Sequence, residues 1–398
     1  MLFAALLAVW VGLSLFVVHQ PFHVGRRLRY FDLRVYRDAA SLILNGGSLY
    51  DTRLYGGLHF TYPPIAALTF TPLALFPLAL EEILVTALNV AALIWLLRRA
   101  LEIHVARALS GTETRLRGRD KWAIVGLATA AALWLEPVTT TLGYGQVDLV
   151  IAALIVFDLS RADTAKSKGA ALGLAAGLKL TPLLFVPYLL FTRRRRAAAV
   201  AGLVFAGTVA LGFAVLPSDA ARYWGRALLD PSRVGRVADW ANQSLDGAIA
   251  RLTGTSSVGS AWFAAVAVLA AVGLAGAVLA GRRGDEATGF SLCALTALLV
   301  SPISWTHHWV LAVPALFLFV LSAYERGSRP RLIAATAIAA IGYSYIPQRV
   351  SESHILQLKL GGLIASDAYV LIGLVAIATG CAAVLRAAPA ARRNVAVR

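Results

Sequence analysis

Long apolar runs separated by short basic loops recur along the whole of this chain. Runs of about 18 or more apolar residues are typical of helices that cross a membrane. The composition agrees, because 59% of the residues are hydrophobic and only 15% are charged, whereas soluble domains carry about 25% charged residues. The sequence therefore predicts an all-α, polytopic transmembrane helical bundle that forms a single domain over residues 1–398.

The apolar runs predict about ten full spans. The first run has no basic start and no small-residue cleavage motif, so we expect a transmembrane helix rather than a cleaved signal peptide. Residues 61–80, with four prolines, and residues 169–191, interrupted by GLKLTP, are predicted to be broken or re-entrant. An ordinary span at either stretch is the alternative. The predicted full spans are residues 1–18, 82–97, 122–135, 147–159, 197–216, 258–281, 290–301, 309–324, 332–346 and 368–385.

Basic residues decide the predicted topology. The formal net charge is +16, from 37 Lys and Arg against 21 Asp and Glu. Most of the Lys and Arg residues lie in short loops. Anchoring of these loops on the cytoplasmic side explains them, and nucleic acid is not an expected partner. The most basic loops share one side of the cell membrane if both broken stretches begin and end on the same face. The external segments are then the SPISWTHH turn and residues 19–60, 136–146, 217–257 and 348–367.

The first external segment, residues 19–60, departs from this trend because it carries several arginines. Short external loops are normally poor in Arg, and a guanidinium group matches the oxygens of a phosphate. We therefore predict that Arg34 and Arg37 bind the phosphate of an anionic ligand. Ion pairing with nearby acidic residues such as Asp38 and Asp51 is the alternative.

Asp32 lies in the same segment, between Phe31 and Leu33. Apolar neighbours remove water from a carboxylate and raise its pKa, which suits a general base. We predict this role for Asp32. The alternative is an Asp that caps a helix or forms a turn.

Two adjacent histidines, His307 and His308, lie at the predicted outer end of a span. Neighbouring residues point to different faces of a helix, so the pair is a poor chelate. We expect one imidazole to donate to a phosphate or a developing oxyanion while the other packs. Lys179, in the middle of the second broken stretch, needs an anion there, and we predict a ligand phosphate.

Further polar and aromatic residues of the external face are predicted to line a substrate site. For the tyrosines and the tryptophan, membership of the aromatic belt at the membrane surface is the alternative. The sequence contains no metal-binding or nucleotide-binding motif, and Cys293 and Cys381 lie inside apolar runs, so no metal or other cofactor is expected. The predicted lining residues are Tyr36, Tyr62, Glu136, Tyr144, Gln146, Asn242, Gln243 and Trp305.

Seven short motifs occur in a fixed order between about residues 31 and 309. They are FDLRVYRDAA, LYD, FTYPPIAAL, EPVTTTLGYGQVD, GLKLTP, RVGRVADWANQSLDGAI and LSPISWTHHW. Together they resemble the actinobacterial glycosyltransferases of family 87, in particular the members that use polyprenol-phosphate-mannose and extend phosphatidylinositol mannosides and lipomannan.

The resemblance implies the C-type glycosyltransferase architecture, a polyprenyl-phosphate-mannose donor, a glycolipid acceptor and an alpha-(1-2) linkage formed with inversion on the outer face of the membrane. It assigns the functional Asp to Asp32 and a functional His to His307 or His308. No cofactor is implied, because the lipid phosphate is itself a good leaving group. An arabinofuranosyltransferase that uses a lipid-phosphate pentose and a non-catalytic lipid-sugar transporter are the alternatives.

Overall fold

The computed structural model describes residues 29–108, 118–254, 260–352 and 360–387. Within these ranges the chain is helical, without a β-strand and with two isolated bridges, Arg53 to His59 and Asn242 to Trp305. The first predicted span, residues 1–18, lies outside the described residues. The all-α fold predicted from the apolar pattern is thus confirmed for the described part of the chain.

The first half of the chain forms long and short helices in alternation. Short 3-10 helices occur at Tyr55–Gly57, Thr71–Leu75 and Thr181–Leu184. The α-helices are α1 (Phe31–Leu44), α2 (Pro64–Phe70), α3 (Leu78–Ala108), α4 (Gly118–Ala132), α5 (Glu136–Tyr144), α6 (Asp148–Leu159), α7 (Ala170–Leu178) and α8 (Phe185–Phe191).

The second half of the chain continues in the same way. Its 3-10 helices are Ala227–Leu229, Pro231–Arg233 and Thr306–Ala312, and the last of these runs directly into α14. The α-helices are α9 (Arg195–Val215), α10 (Pro217–Gly225), α11 (Leu245–Thr253), α12 (Ser260–Arg282), α13 (Glu286–Val300), α14 (Val313–Glu325), α15 (Arg329–Ser344), α16 (Ile346–Glu352), α17 (Leu360–Ser366) and α18 (Ala368–Arg386).

Several of these helices are long and apolar enough to cross a membrane, so the chain is a membrane protein. Within the described ranges there are five such helices, or six if the pair α4 and α5, bent by 76°, is one span. The prediction of about ten full spans is not confirmed. Helices α6, α13 and α15 have 12, 15 and 16 residues; at 1.5 Å per residue they are shorter than a hydrocarbon core of about 30 Å. The five helices contain the segments Leu78–Val105, Arg195–Val215, Trp262–Arg282, Thr306–Glu325 and Ala368–Arg386.

Both stretches predicted to be broken are broken in the structure. In the first, α2 begins at Pro64 and passes into a 3-10 helix, and the chain is extended at Phe76 before α3 starts at Leu78. The prolines account for these breaks, because each lacks an N–H group and fits only the first turn of a helix.

The second broken stretch forms a hairpin beside α9, and its predicted re-entrant topology in the membrane stays a prediction. Gly169 at the start of α7 packs against Ala197 in the first turn of α9, and Gly177 packs against Thr208 further along. Helix α7 therefore runs beside α9 in the same direction. Since α8 then leads directly back to the start of α9 at Arg195, the chain enters and leaves at the same end of α9. Glycine at these positions lets the two helices approach closely.

Two apolar cores meet where the predicted site residues lie. The larger core is built from the membrane helices, with Leu93, Phe185 and Leu299 among its buried members, and the smaller core surrounds α1 and α2. Val147 and Leu178 pack against both cores. Their chain neighbours include Gln146, Asp148 and Lys179, so the junction of the two cores positions these polar side chains.

Candidate active site

A cavity of about 1010 Å³ opens at this junction. Its volume is at the upper end of the roughly 300–1,000 Å³ that is usual for a ligand pocket. Polar side chains from elements far apart in the chain meet in its wall. They include Asp32, Tyr62, Gln146, Lys179 and His307.

Asp32 lies in the first turn of α1, whose start is attached to the end of α5. The backbone N–H groups of Arg29 and Tyr30 both donate to the Gly143 carbonyl oxygen, at 3.1 and 2.9 Å. Gly145 ends α5 in the left-handed region, with φ of 68°, and a side chain there would collide with Leu33. Gly145 of the GYG sequence therefore permits the close approach that carries Asp32 to the cavity.

Gln146 links Asp32 to the surrounding tyrosines. The Tyr36 and Tyr62 hydroxyl groups donate to Gln146 Oε1 at 2.5 and 2.9 Å. With its oxygen occupied by two donors, the amide nitrogen faces the Asp32 carboxylate and hydrogen-bonds it. The tyrosine pair thus fixes the orientation of the amide, and the amide fixes the carboxylate.

Burial raises the pKa of Asp32 from 3.8 to about 6, against the opposing effects of the Gln146 hydrogen bond and the positive charge of Lys179. The nearby carboxylate of Asp148 also raises it. Desolvation favours the neutral form of a carboxyl group. A carboxylate with a pKa close to neutral pH is suited to accept a proton from an alcohol.

Lys179 lies at the break between α7 and the following 3-10 helix, where the backbone is extended. Its Nζ atom donates to Asp148 Oδ1 at 2.5 Å and lies 5.5 Å from the centre of the Tyr62 ring. Asp148 begins α6 and is 6% exposed. A buried ammonium group requires an anionic partner, and Asp148 is that partner.

The two histidines lie in the 3-10 helix that precedes α14. His307 lines the cavity, and its Nε2 atom lies 3.9 Å from Asp148 Oδ2, too far for a hydrogen bond. Both atoms are buried without a hydrogen-bond partner. His308 packs edge-on against His307, at 4.7 Å between ring centres, and is not among the residues of the cavity wall.

Asp148, His307 and His308 could together hold a metal ion, because one ligand atom from each lies within 4.8 Å of the others. Aspartate and histidine are common ligands of divalent transition metals. The ammonium group of Lys179 on the same carboxylate opposes a second cation there. The expectation of a site without a cofactor stays a prediction.

Comparison with known proteins assigns the chain to a family. A family model described as glycosyltransferase family 87 matches residues 60–302, more than half of the chain. The polyprenol-phosphate-mannose-dependent alpha-(1-2)-phosphatidylinositol mannoside mannosyltransferase of Mycobacterium tuberculosis is 32% identical over 312 residues, which cover 77% of this chain and 72% of that protein. The chain belongs to glycosyltransferase family 87.

Other similar proteins include a protein of Mycolicibacterium smegmatis with the same name as the M. tuberculosis protein. It is 34% identical over 355 residues, 84% of this chain and 77% of that protein. The crystal structure of ArnT from Cupriavidus metallidurans bound to undecaprenyl phosphate covers 94% of this chain and 76% of its own, with a TM-score of 0.44 and 16% identity.

The cavity of this family 87 protein brings together about half of the site residues predicted from sequence. Those that do not reach its wall are Arg34, Arg37, Tyr36, His308, Asn242 and Gln243. Those in its wall are Asp32, Tyr62, Glu136, Tyr144, Gln146, Lys179, Trp305 and His307.

Arg34 and Arg37 form ion pairs on the side of α1 that faces α3. Arg34 lies 3.3 Å from a carboxylate oxygen of Glu82, and Arg37 pairs with the buried Glu81. The predicted alternative of ion pairing thus describes both arginines, with glutamates of α3 as partners instead of aspartates of their own segment. Their predicted contact with a ligand phosphate stays a prediction.

Asn242 and Gln243 are fully buried and their amide groups bond to the backbone. Asn242 Nδ2 donates to the Val237 and Pro302 carbonyl oxygens, and Asn242 Oδ1 accepts from the Ser304 N–H. Gln243 makes equivalent bonds to Trp240, Ser366 and Tyr369 in a neighbouring region. These residues fix the loop before α11 and do not face the cavity.

Two acidic residues near the site were not selected from the sequence. Asp148 ends the GYGQVD motif at the start of an apolar run, and an ionisable residue at such a position is itself a signal of function. Asp246 lines the cavity two residues after the Ser244 N-cap of α11. Asn242, Gln243 and Asp246 belong to one motif, and only packing separates the residue that lines the cavity from the two whose amides bond to the backbone.

Proposed function

We propose that this protein transfers mannose from polyprenyl-phosphate-mannose to a phosphatidylinositol mannoside or to lipomannan or lipoarabinomannan, forming an alpha-(1-2) linkage. It does so as a multi-pass enzyme of the cell membrane with the C-type glycosyltransferase architecture. One observation carries the proposal: a chain similar to mannosyltransferases of this name holds the carboxylate of Asp32 and the ammonium group of Lys179 in one cavity.

Asp32 acts as the general base. The hydroxyl group at position 2 of the acceptor mannose donates its proton to the Asp32 carboxylate as its oxygen forms a bond to the anomeric carbon of the donor. The pKa of Asp32, raised to about 6 by burial, leaves the carboxylate ionised at pH 7 and basic enough to take the proton. Gln146 keeps the carboxylate in this position.

The bond that breaks joins the anomeric carbon to the donor phosphate, and its electron pair leaves with the polyprenyl phosphate. The phosphate gains one negative charge in this step. Lys179 and an imidazole of the adjacent histidines compensate that charge, as preorganised positive groups and donors do in other transfer reactions. Because His307 lies in the cavity wall and His308 does not, we assign this contact to His307.

Attack from the face opposite the leaving phosphate inverts the anomeric carbon. A beta-linked lipid donor therefore gives an alpha-linked product in a single displacement. The two substrates approach the reacting carbon from opposite sides, which agrees with a cavity at the upper end of the usual range of volumes.

We place the cavity on the outer side of the cell membrane. The basic segment Arg193 to Arg196 follows the helix pair α7 and α8, and positive loops favour the cytoplasmic side. The loop between α7 and α8, which carries Lys179, lies at the opposite end of this pair. A cysteine introduced at exposed Leu58, in the cavity wall, should react with a membrane-impermeant maleimide in intact cells.

Product analysis with purified protein tests the function. The protein in lipid nanodiscs is given polyprenyl-phosphate-[¹⁴C]mannose or the corresponding arabinofuranosyl lipid, with phosphatidylinositol mannosides as acceptors. The proposal expects a labelled glycolipid from the mannosyl donor alone, with the label released by an alpha-(1-2)-mannosidase. Transfer from the arabinofuranosyl donor alone would contradict it. So would passage of the mannosyl lipid across a bilayer without a new glycosidic bond.

A further inference from the structure

Asp246 is a cavity residue that the mechanism above does not use. Its side chain is in the first turn of α11 and is 3% exposed, and its Oδ2 atom has no hydrogen-bond partner. Burial alone raises the pKa of this carboxyl group, without a contribution from a neighbouring charge. A buried carboxylate oxygen is costly unless a donor replaces the lost water, and the field of a helix N-terminus compensates only a small part of that cost.

Hydrogen bonds on both sides fix the backbone around Asp246. Ser244 caps α11 by accepting a hydrogen bond from the Gly247 N–H at 3.0 Å. Asn242 binds the Ser304 N–H at 2.8 Å and packs directly against Gly247. Because both sides of the turn are fixed in this way, the backbone of Asp246 is held beside the cavity.

Two tryptophan side chains contribute to the wall of the same cavity. Trp240 and Trp305 both line it. The Trp305 backbone pairs with Asn242, and its ring lies against Gly235, where a Cβ atom would come within 2.9 Å of the ring. Flat aromatic rings beside a carboxylate suit a polyhydroxylated ligand, because the rings cover its C–H faces and the carboxylate accepts from its hydroxyl groups.

Asp246 comes from α11, an element that contributes no group to the contacts among Tyr36, Gln146, Asp148 and Lys179 at the reacting end. The donor phosphate is assigned to Lys179 and His307, so a second ligand would occupy the remaining space. Under the proposed function that ligand is the sugar headgroup of the acceptor.

We propose that Asp246 accepts a hydrogen bond from a hydroxyl group of the acceptor's sugar headgroup, within a subsite that also contains Trp240 and Trp305. This inference rests on the proposed function and adds to it a determinant of acceptor binding. Asp246 is a positioning residue: it holds the acceptor so that the attacking hydroxyl group reaches Asp32, and it takes no proton in the reaction.

Steady-state kinetics on Asp246→Asn and Asp246→Ala test the proposal. The acceptor is a phosphatidylinositol mannoside, and the donor is polyprenyl-phosphate-[¹⁴C]mannose. We expect the KM for the acceptor to rise about tenfold in Asp246→Asn and up to about a hundredfold in Asp246→Ala, because a charge-assisted hydrogen bond is lost. The KM for the donor, and the rate of any transfer of mannose to water without acceptor, should stay within about twofold of wild type, since neither uses this subsite.

Asp219→Asn is the matched control. Asp219 is equally buried, at 5% exposed, but it accepts from the Leu49 N–H at 3.0 Å and does not line the cavity. This variant should lower the melting temperature and leave the acceptor KM unchanged. If Asp246→Ala does not yield folded protein, the isosteric Asp246→Asn decides the question.

Two results would overturn the inference. One is an unchanged acceptor KM in a folded, active Asp246→Asn variant. The other is a parallel loss of transfer to acceptor and to water, which would place Asp246 at the reacting end. Failure of the wild-type protein to transfer mannose would instead refute the proposed function, so the two failures are separable.

Discussion

Lys179 Nζ lies 2.5 Å from Asp148 Oδ1, and the two residues come from different helical elements that the junction of the two cores brings together. Both side chains are largely buried, with 13% and 6% of their surface exposed. A buried charge without its partner is strongly destabilising. The pair therefore stabilises the protein while it keeps an ammonium group beside the cavity.

Removal of either partner should destabilise the protein. We expect Lys179→Met or Asp148→Asn to cost about 3–5 kcal/mol, because each leaves one buried charge uncompensated. The double variant should regain most of this stability, since both charges are gone. Urea unfolding or thermal melts of the three proteins measure the difference.

The same double variant separates stability from function. It should stay inactive in mannosyl transfer despite its recovered stability, because the donor phosphate has lost its cation. Substantial transfer by the double variant would show that Lys179 serves only the fold.

Asp32→Asn should abolish mannosyl transfer and leave the protein folded. The raised pKa of Asp32 means that the folded state binds its proton more tightly than the unfolded chain does. Stability therefore falls as pH rises from about 4 to 6, by at most roughly 3 kcal/mol. The amide removes this cost, so the variant should melt at the same temperature as wild type or higher at pH 8. Transfer at a rate near wild type would exclude Asp32 as the base.

The pH dependence of kcat/KM should show an acid limb at about pH 6. Activity rises with pH through this value because Asp32 accepts a proton only when it is ionised. Gln146→Leu removes a hydrogen bond to the charged form, so its limb should move to higher pH. The rates are measured from about pH 5 to 8 with a saturating donor. A limb near pH 4 in the wild-type protein would mean that burial does not perturb the base.

His307 and His308 should differ in their contribution to donor binding. His307 lines the cavity and faces Asp148, whereas His308 does not reach the cavity wall. We expect His307→Ala to reduce kcat/KM about a hundredfold or more, as loss of one preorganised donor does. The His308→Ala variant should show a much smaller reduction of kcat/KM. Equal losses in the two variants, or none in either, would contradict the assignment.

Arg37→Ala tests whether the predicted phosphate contact or the ion pair describes this residue. Arg37 pairs with Glu81, which is fully buried. We expect a lower melting temperature and an almost unchanged donor KM, because the main consequence is that the buried charge of Glu81 loses its partner. Arg37→Ala together with Glu81→Gln should restore the melting temperature. A donor KM that rises without a loss of stability would favour the phosphate contact instead.

Local sequence patterns determined the positions of the membrane helices, the breaks between helices and the family of this protein. Apolar runs located the five helices that can span a membrane, and prolines located both breaks, since a proline in a helix interior removes a hydrogen bond wherever it lies in the fold. Seven motifs indicated the family, and they included Asp32, Lys179 and the histidine pair. These signals are contained within short segments, so no tertiary information is needed to find them.

Only the tertiary structure decided which of two similar residues faces the cavity. The sequence does not distinguish His307 from His308, or Asp246 from Asn242, because each pair shares a motif and a polarity. Packing assigns one member of each pair to the cavity and the other to the interior. The sequence also did not predict the ion pairs of Arg37 with Glu81 and of Lys179 with Asp148. Such partners are determined by distance in space and not by distance along the chain.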